Sequence, residues 1–241
     1  MGRDGGKVRR TKRYFLILII FFFISANDSS AVYKEPKYPP IPENLSPSVK
    51  QVILVKGFNG MNTTLTGWEK EDNAWHLIFE SMPAMLGKNG VARIFDKKEG
   101  DGRTPLGIFK LRRAFGYLPS VETGLVYTQV TENDFWVDDP DSPQYNQWVK
   151  GPPNAKSFEK LRRDDDLYKY AIVIEYNTDP IIPGKGSAIF LHVWRDDKTP
   201  TAGCVAVSEE NLLKLLQWLD SKKEPVIILD VHIPSLGDIT L

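Results

Sequence analysis

Residues 187–219 read "SAIFLHVWRDDKTPTAGCVAVSEENLLKLLQWL", and this segment shows both kinds of regular element from which the fold can be predicted. It begins with an apolar run, 187–194, that has the length of a buried strand, and it continues through a polar loop that contains a proline. It ends on leucines at helical spacing, which follow Ser208 as an N-cap and two glutamates suited to the positive end of a helix dipole. The segment therefore predicts a strand, a loop and a helix that begins after Ser208.

Short β-rich runs bounded by Gly, Pro, Asn or Asp occupy most of the remaining chain, as strands separated by turns should. In addition to 187–194, such runs cover 51–56, 64–70, 74–86, 107–113, 124–130, 170–177 and 225–231. This pattern favours a mostly β single domain, built as a sandwich or a closed sheet. A second, weaker helix is predicted over 156–170.

The N-terminus has the order of a signal peptide. Lys and Arg crowd the first thirteen residues, an apolar run follows from Tyr14 to Ile24, and small polar residues lead to Ala31. An uncleaved anchor and a buried helix are alternatives, but the apolar run is shorter than the roughly 20 residues that a membrane span needs. We therefore expect an exported protein with no membrane span after cleavage. Without the leader the body is mildly acidic and has no basic stripe interleaved with aromatics, which argues against a nucleic-acid partner.

Cys204 is the only cysteine of the chain, so an exported form has no internal disulfide. His192 precedes it across the polar loop, and two strand ends joined by such a loop can bring imidazole and thiol together as a thiolate–imidazolium pair. Gly203 permits a bend that would aim the amides of residues 203 and 204 at a developing oxyanion. The residues alone leave a second interpretation open, namely a buried structural cysteine, a strand histidine and an ordinary turn glycine.

Three motifs in order carry a family resemblance. They are "EGDGRTPLGIF" at 99–109, the strand histidine His192, and "TAGCVAVSEENLLKLLQWL" at 201–219. Together they resemble the YkuD-type L,D-transpeptidase catalytic domain of the ErfK/YbiS superfamily, over roughly residues 51–231. The resemblance implies a mostly β, YkuD-like β-sandwich with one or two short helices in a single domain.

The resemblance also implies the chemistry. Cys204 would be the nucleophile, His192 the proton acceptor and donor, and the carbonyl of Val193 the group that orients the imidazole, with Gly203 and Thr201 supporting the oxyanion. The expected function is that of an exported cysteine acyltransferase acting on peptidoglycan stem peptides through an acyl-enzyme. An amine acceptor gives a cross-link, and water gives L,D-carboxypeptidase action. No metal or organic cofactor is implied.

The sequence departs from the family pattern at two positions beside the nucleophile. Ala202 stands where the family commonly has histidine and Ala206 where it commonly has arginine, and the interval from histidine to cysteine is short. A catalytically silent wall-binding module of the same fold is therefore an alternative. A papain-like or NlpC/P60-type endopeptidase is disfavoured, because those enzymes place cysteine before histidine and at a helix start.

Two other segments are candidates for substrate contacts. Trp136, Tyr145 and Asp139 in 135–149 suggest a wall for sugar rings or stem-peptide amines, although an Asp-rich turn is the commoner explanation. Arg195 suggests a carboxylate partner in place of the missing arginine. Residues 175–190 form either a flap or a surface loop.

The predicted organisation is a signal peptide (1–31), a Pro-rich linker (32–50), the catalytic domain (51–232) and a C-terminal tail (233–241). The expected location is the periplasm or cell wall.

Overall fold

The computed structural model describes residues 1–2, 41–57 and 63–229. The chain divides into two units, 1–37 and 38–241, and the structure describes only residues 1–2 of the first. The predicted C-terminal tail, most of the leader and residues 32–40 of the linker lie outside the described residues, so the predicted boundaries stay predictions. No helix in the described ranges is long and apolar enough to cross a membrane.

The described part of the chain is mostly β, as predicted. It contains one α-helix, α1 (Glu209–Trp218), and 3₁₀ turns at Asp166–Tyr168 and Ser221–Lys223. The strands are β1 (Gln51–Lys56), β2 (Thr64–Glu71), β3 (Ala74–Met85), β4 (Val91–Ala92), β5 (Thr104–Pro105), β6 (Gly107–Gly116), β7 (Val126–Gln129), β8 (Asp134–Val137), β9 (Trp148–Lys150), β10 (Phe158–Lys160), β11 (Tyr170–Ile174), β12 (Phe190–Val193), β13 (Val205–Val207) and β14 (Val226–Leu229).

Nine strands form one sheet in the order β11-β12-β13-β3-β2-β1-β14-β6-β7, and an additional pairing of β11 with β6 links its two halves. The long strands β3 and β6 pass from one half to the other, so the sheet folds over on itself and encloses a core, as in a sandwich. β10, β8 and β9 form a separate small sheet, and β4 pairs with β5.

Helix α1 closes the main core. Ser208 caps it by accepting the amide of Asn211 at 3.2 Å, as its sequence predicts. Leu212, Leu215 and Leu216 are fully buried among strand side chains that include Leu191 of β12. The helix therefore supports, from behind, the strand that carries His192.

The prediction of a second helix over 156–170 is wrong. The segment instead contains β10, where Glu159 pairs with Trp136 of β8, and the 3₁₀ turn at Asp166–Tyr168. Arg163 binds Asp165 only two residues away and closes a bend between these elements. Pairing with a distant strand has overridden a weak local helical pattern, and the small sheet that results was missed from sequence.

We expect Leu216→Ala to lower the free energy of unfolding by about 2–5 kcal/mol, because a fully buried leucine is replaced and a cavity is left behind. Urea denaturation followed by far-UV circular dichroism measures the change. Leu118→Ala is the matched control, since Leu118 is 42% exposed and its loss should cost less than about 0.5 kcal/mol. Equal effects of the two variants would contradict the assigned core.

Candidate active site

His192 and Cys204 lie on the same face of two adjacent strands. β12 and β13 run parallel with His192 opposite Ala206, and Cys204 directly precedes β13. Side chains alternate along a strand, so Leu191 and Val193 face the main core while His192 faces the other side with Phe190. This register places the imidazole and the thiol one pleat apart.

The crossover between these two strands forms the rim of the site. Parallel strands need a long connection, and here the loop 194–204 provides it without a helix. Asp196 fixes the bend by accepting the amides of Lys198 and Thr199 at 2.9 and 2.6 Å. The short interval between histidine and cysteine is therefore one compact loop.

His192 is held as a neutral imidazole. Its Nδ1 lies 2.7 Å from the carbonyl oxygen of Val193, the contact that the resemblance implied, which assigns the proton to Nδ1 and leaves Nε2 as an acceptor. Burial lowers the pKa of His192 to about 4, although the carbonyls of Val193 and Leu167 favour the charged ring. The ring also packs at 5.3 Å against the ring of Tyr168, at an interplanar angle of 73°.

Cys204 is also buried and neutral. Its thiol donates to the carbonyl of Ala188 at 3.3 Å and accepts the amide of Phe190 at 3.4 Å. Burial raises the pKa of Cys204 to about 12, and the charge of Glu159 acts in the same direction. The resting site therefore contains a thiol and an imidazole, not the thiolate–imidazolium pair expected from sequence.

Thr201 ties the turn that presents Cys204. Its hydroxyl donates to the carbonyl of Cys204 at 2.7 Å and accepts the amide of Gly203 at 3.1 Å. Gly203 has a φ of 150°, and a Cβ there would lie 3.1 Å from the carbonyl oxygen of Arg103. Because the Gly203 amide is already bonded to Thr201, the free pair of amides expected for an oxyanion is not formed in this conformation.

The motif at 99–109 supports the same turn. The hydroxyl of Thr104 donates to the carbonyl of Cys204 at 3.3 Å and accepts the amide of Gly87 at 2.9 Å. Thr104 is fully buried. Thr104 therefore holds the backbone of Cys204, which the sequence did not predict.

One cavity of about 310 Å³ contains both chemical groups, and we call it the catalytic cavity. Thr201, Ala202, Ala206 and Arg195 line it, as do several side chains that sequence reasoning missed. Those are Glu159, Arg163, Leu167, Tyr168, Trp194, Thr199 and Pro200. Nothing in the run "LRRDDDLY" singles out Arg163 or Tyr168, because only the fold brings them to His192.

Two arginines bring positive charge to the catalytic cavity. Arg163 binds Asp165 through Nε at 2.5 Å and Nη2 at 2.8 Å, and Arg195 approaches the same carboxylate at 3.4 Å. Both arginines keep a partly exposed guanidinium. Ala206 and Ala202 remove side-chain bulk beside the nucleophile, while the charge comes from other elements.

Trp136 and Tyr145 do not line this cavity. They are 1% and 2% exposed, so neither ring offers a face to a substrate. Trp136 donates to the side-chain oxygen of Asn146 at 2.8 Å, and that oxygen accepts the amide of Ala188 at 3.1 Å. Tyr145 accepts the amide of Gly186 at 2.9 Å. Both rings thus support the segment whose Ala188 carbonyl receives the Cys204 thiol.

Asp139 lies in a turn, as the commoner explanation of its sequence suggested. Its carboxylate accepts the amides of Asp141 and Lys156 at 3.0 and 2.8 Å, and these bonds lower its pKa. It is not among the residues that line the catalytic cavity. In the segment 175–190, the Asn177 side chain binds the carbonyls of Ile182 and Gly186 and closes the loop on itself.

A separate apolar cavity of about 380 Å³ includes Ile94, Phe95, Leu106 and Ile228 in its lining. Arg93 is the one titratable side chain among its lining residues. It therefore offers no nucleophile or base. No cluster of metal-ligating side chains occurs within the described ranges.

The fold and the site define a class: a mostly β domain in which a strand histidine and a cysteine share one cavity. The profile of the L,D-transpeptidase catalytic domain, YkuD, matches residues 61–228, and the chain belongs to this family. Membership supports a peptidoglycan-related function of the L,D-transpeptidase kind. No curated protein matches the chain significantly.

A solved structure is also similar, that of the helical cell shape determining protein Pgp2 from Campylobacter jejuni. The sequence identity is 19% and the TM-score 0.44, and the match covers 77% of this chain. The chain spans 49%, about half, of the length of that structure.

We expect Cys204 of the folded protein to react slowly with iodoacetamide. With a pKa of about 12, roughly 1 in 10⁴ of the thiols is ionised at pH 8. Alkylation rates measured by mass spectrometry should rise up to pH 10 without a plateau. The same chain unfolded in urea, where the thiol regains an ordinary pKa, is the control and should react at least 10²-fold faster at pH 8. A plateau below pH 8 in the folded protein would contradict the neutral thiol.

His192 should make stability depend on pH. Its folded pKa of about 4 lies below the ordinary 6.5, so its contribution is full above pH 6.5 and is lost as the pH falls towards 4. Over this range the free energy of unfolding falls by about 3 kcal/mol. Urea denaturation at pH 7 and pH 4.5 should show a smaller pH effect in His192→Gln than in the parent. His76→Gln is the control because His76 is exposed, and it should keep the parental pH effect.

Proposed function

We propose that this protein is an exported L,D-transpeptidase that acylates Cys204 with peptidoglycan stem peptides. One observation carries the proposal: a single cavity in a YkuD-family chain is lined by both the Cys204 thiol and the His192 imidazole. The oriented Nδ1 of His192 adds support, because it leaves Nε2 as the proton acceptor. Export rests on the leader pattern alone.

In the proposed first step, Sγ of Cys204 attacks the carbonyl carbon of an L-residue in the stem, and Nε2 of His192 takes the S–H proton. The Val193 carbonyl accepts the Nδ1–H bond throughout and stabilises the imidazolium that forms. The C–N bond then breaks, and the terminal D-residue leaves as an amine that receives this proton. A thioester remains on Cys204.

The neutral resting pair constrains this step. Since burial disfavours both the thiolate and the imidazolium, charge develops only when substrate is present and the proton moves as the C–S bond forms. The thiol must also leave its contact with the Ala188 carbonyl. Substrate that fills the catalytic cavity and displaces its water would favour this rotation.

Substrate recognition is assigned to the positive rim. Arg195 and Arg163 share the carboxylate of Asp165, and each has donors left to bind a stem-peptide carboxylate. The small side chains of Ala202 and Ala206 leave room for the peptide beside the nucleophile. Trp136 and Tyr145 are assigned to support of the site, Asp139 to its own turn, and none of the three to substrate.

Intact-mass spectrometry with a stem tetrapeptide tests the acyl-enzyme. The full chain should gain the mass of the tripeptide acyl group, and Cys204→Ala should gain none. His192→Gln should acylate about 10²–10⁴-fold more slowly, as expected for loss of a general base. His76→Gln, with an exposed histidine, should acylate at the parental rate.

The products then separate the candidate reactions. Digested sacculi treated with the protein should contain new cross-links for a transpeptidase and shortened stems for a carboxypeptidase. Retention of the protein on sacculi without any acyl-enzyme would contradict the proposal and favour a silent wall-binding module.

A further inference from the structure

A second opening meets the catalytic cavity. An open groove of about 510 Å³, here called the side groove, is lined by Phe158, Glu159, Lys160, Arg163, Asp164 and Asp165. Glu159 and Arg163 also line the catalytic cavity, so these two residues lie where the two openings meet. An enzyme that joins two substrates needs an approach for the second while the first remains on Cys204. The side groove provides such an approach.

Glu159 supplies the carboxyl group at this junction. It lies on β10 opposite Trp136, and its Oε2 accepts the hydroxyl of Tyr168 at 2.5 Å. Within the described part of the chain, no Lys or Arg lies at ion-pair distance from it. Arg163, beside it, is held by two bonds to Asp165. The carboxylate therefore lacks a paired cation.

The surroundings of Glu159 leave its charge poorly compensated. Burial raises its pKa, and the nearby carboxylates of Asp138 and Glu99 raise it further, while the Tyr168 hydroxyl and the charge of Arg163 lower it. A half-buried carboxylate without a cation resists ionisation, and a bound cation would offset that cost and favour the charged form.

Glu159 is close to the reacting groups. The same Tyr168 whose hydroxyl it binds packs its ring against His192, and the charge of Glu159 raises the pKa of the Cys204 thiol. A cation bound to Glu159 would therefore share the catalytic cavity with a thioester on Cys204. It would reach that position from the side groove.

We propose that Glu159 binds the ammonium group of the acyl acceptor at the mouth of the side groove and takes one of its protons. This inference rests on the proposed function and deepens it, because it names the residue that binds the acceptor amine as its cation. Water needs no such group.

The step balances. The ammonium gives one proton to the Glu159 carboxylate, and the free amine attacks the thioester carbonyl. The C–N bond forms and the C–S bond breaks. The second proton leaves nitrogen through His192 to the departing thiolate, which regenerates the Cys204 thiol. The products are an amide, a thiol and a carboxylic acid that returns its proton to solvent.

The ratio of aminolysis to hydrolysis tests the proposal. The full chain is given a donor tetrapeptide whose own side-chain amine is acetylated, together with either a D-amino acid amide, charged at pH 7, or hydroxylamine, uncharged at pH 7. Liquid chromatography with mass spectrometry measures both products. Glu159→Gln, which keeps an oxygen acceptor for Tyr168, should lower the ratio at least 10-fold with the charged amine. With hydroxylamine the ratio should stay within twofold of the parent.

Glu132→Gln is the matched control. Glu132 pairs with Arg162 at 3.4 Å on the surface and lines neither opening. The ratio of aminolysis to hydrolysis in Glu132→Gln should therefore equal that of the parent. Glu159→Asp keeps the carboxyl group, so with the charged amine its ratio of aminolysis to hydrolysis should lie between those of Glu159→Gln and the parent. An unchanged ratio in Glu159→Gln, or an equal loss with both nucleophiles, would overturn the inference.

Two further measurements keep the outcome decisive. If Glu159→Gln fails to fold, the trimethylated form of the charged amine is added to the unchanged protein. It should compete with the charged amine and not with hydroxylamine, and absence of that selectivity would overturn the inference. If the parent forms no acyl-enzyme, the proposed function fails and the inference with it, whereas acylation without a Glu159 effect overturns the inference alone.

Discussion

β12 and β13 pair in parallel with His192 opposite Ala206, and the geometry of the site follows from this register. A slip of one residue would turn His192 into the main core and place Val193 in the catalytic cavity, because side chains alternate between faces. The parallel direction also makes a crossover necessary, and the loop 194–204 that provides it supplies much of the cavity rim. Helix α1 and the buried leucines hold the register by covering the opposite face.

The second constraint is burial of the reacting groups. A site open to water would allow the thiolate and imidazolium to exist at rest, but here both side chains are 7% exposed and neutral. The structure compensates with fixed backbone partners: Val193 for the imidazole, and Ala188 with Phe190 for the thiol. Of these partners, Ala188 is held in turn by Asn146, whose side-chain oxygen accepts the Ala188 amide and the Trp136 indole N–H. In this arrangement Cys204 remains a neutral thiol.

Elements that depend on a local pattern were predicted from the sequence. Elements that depend on pairing with a distant strand were missed. Alternation and turn residues located the strand of His192 and the capped helix after Ser208, and motif order located the cysteine with its histidine. The helix predicted for the segment around Glu159 is wrong because the helical spacing there is weak and Glu159 pairs with Trp136 on another strand. Trp136 and Tyr145 suggested a substrate wall because aromatic residues near acidic ones fit sugars and amines. Burial, which sequence does not reveal, gives both rings a supporting role.

Ala206, close to Cys204, has a physical explanation in the pairing of β12 with β13. An arginine at position 206 would stand opposite His192 on the same face and fill the space beside the thiol. With alanine there, positive charge comes instead from Arg163 and Arg195, both anchored by Asp165 at the rim. Positive charge therefore comes from the bend after β10 and from the loop after β12. Glu159, on β10 itself, also lines the cavity, so a guanidinium and a carboxyl group lie at one junction between two openings. In the proposed reaction, a site divided in this way would separate recognition of a donor carboxylate from recognition of an acceptor amine, which is the separation that acyl transfer between two peptides requires.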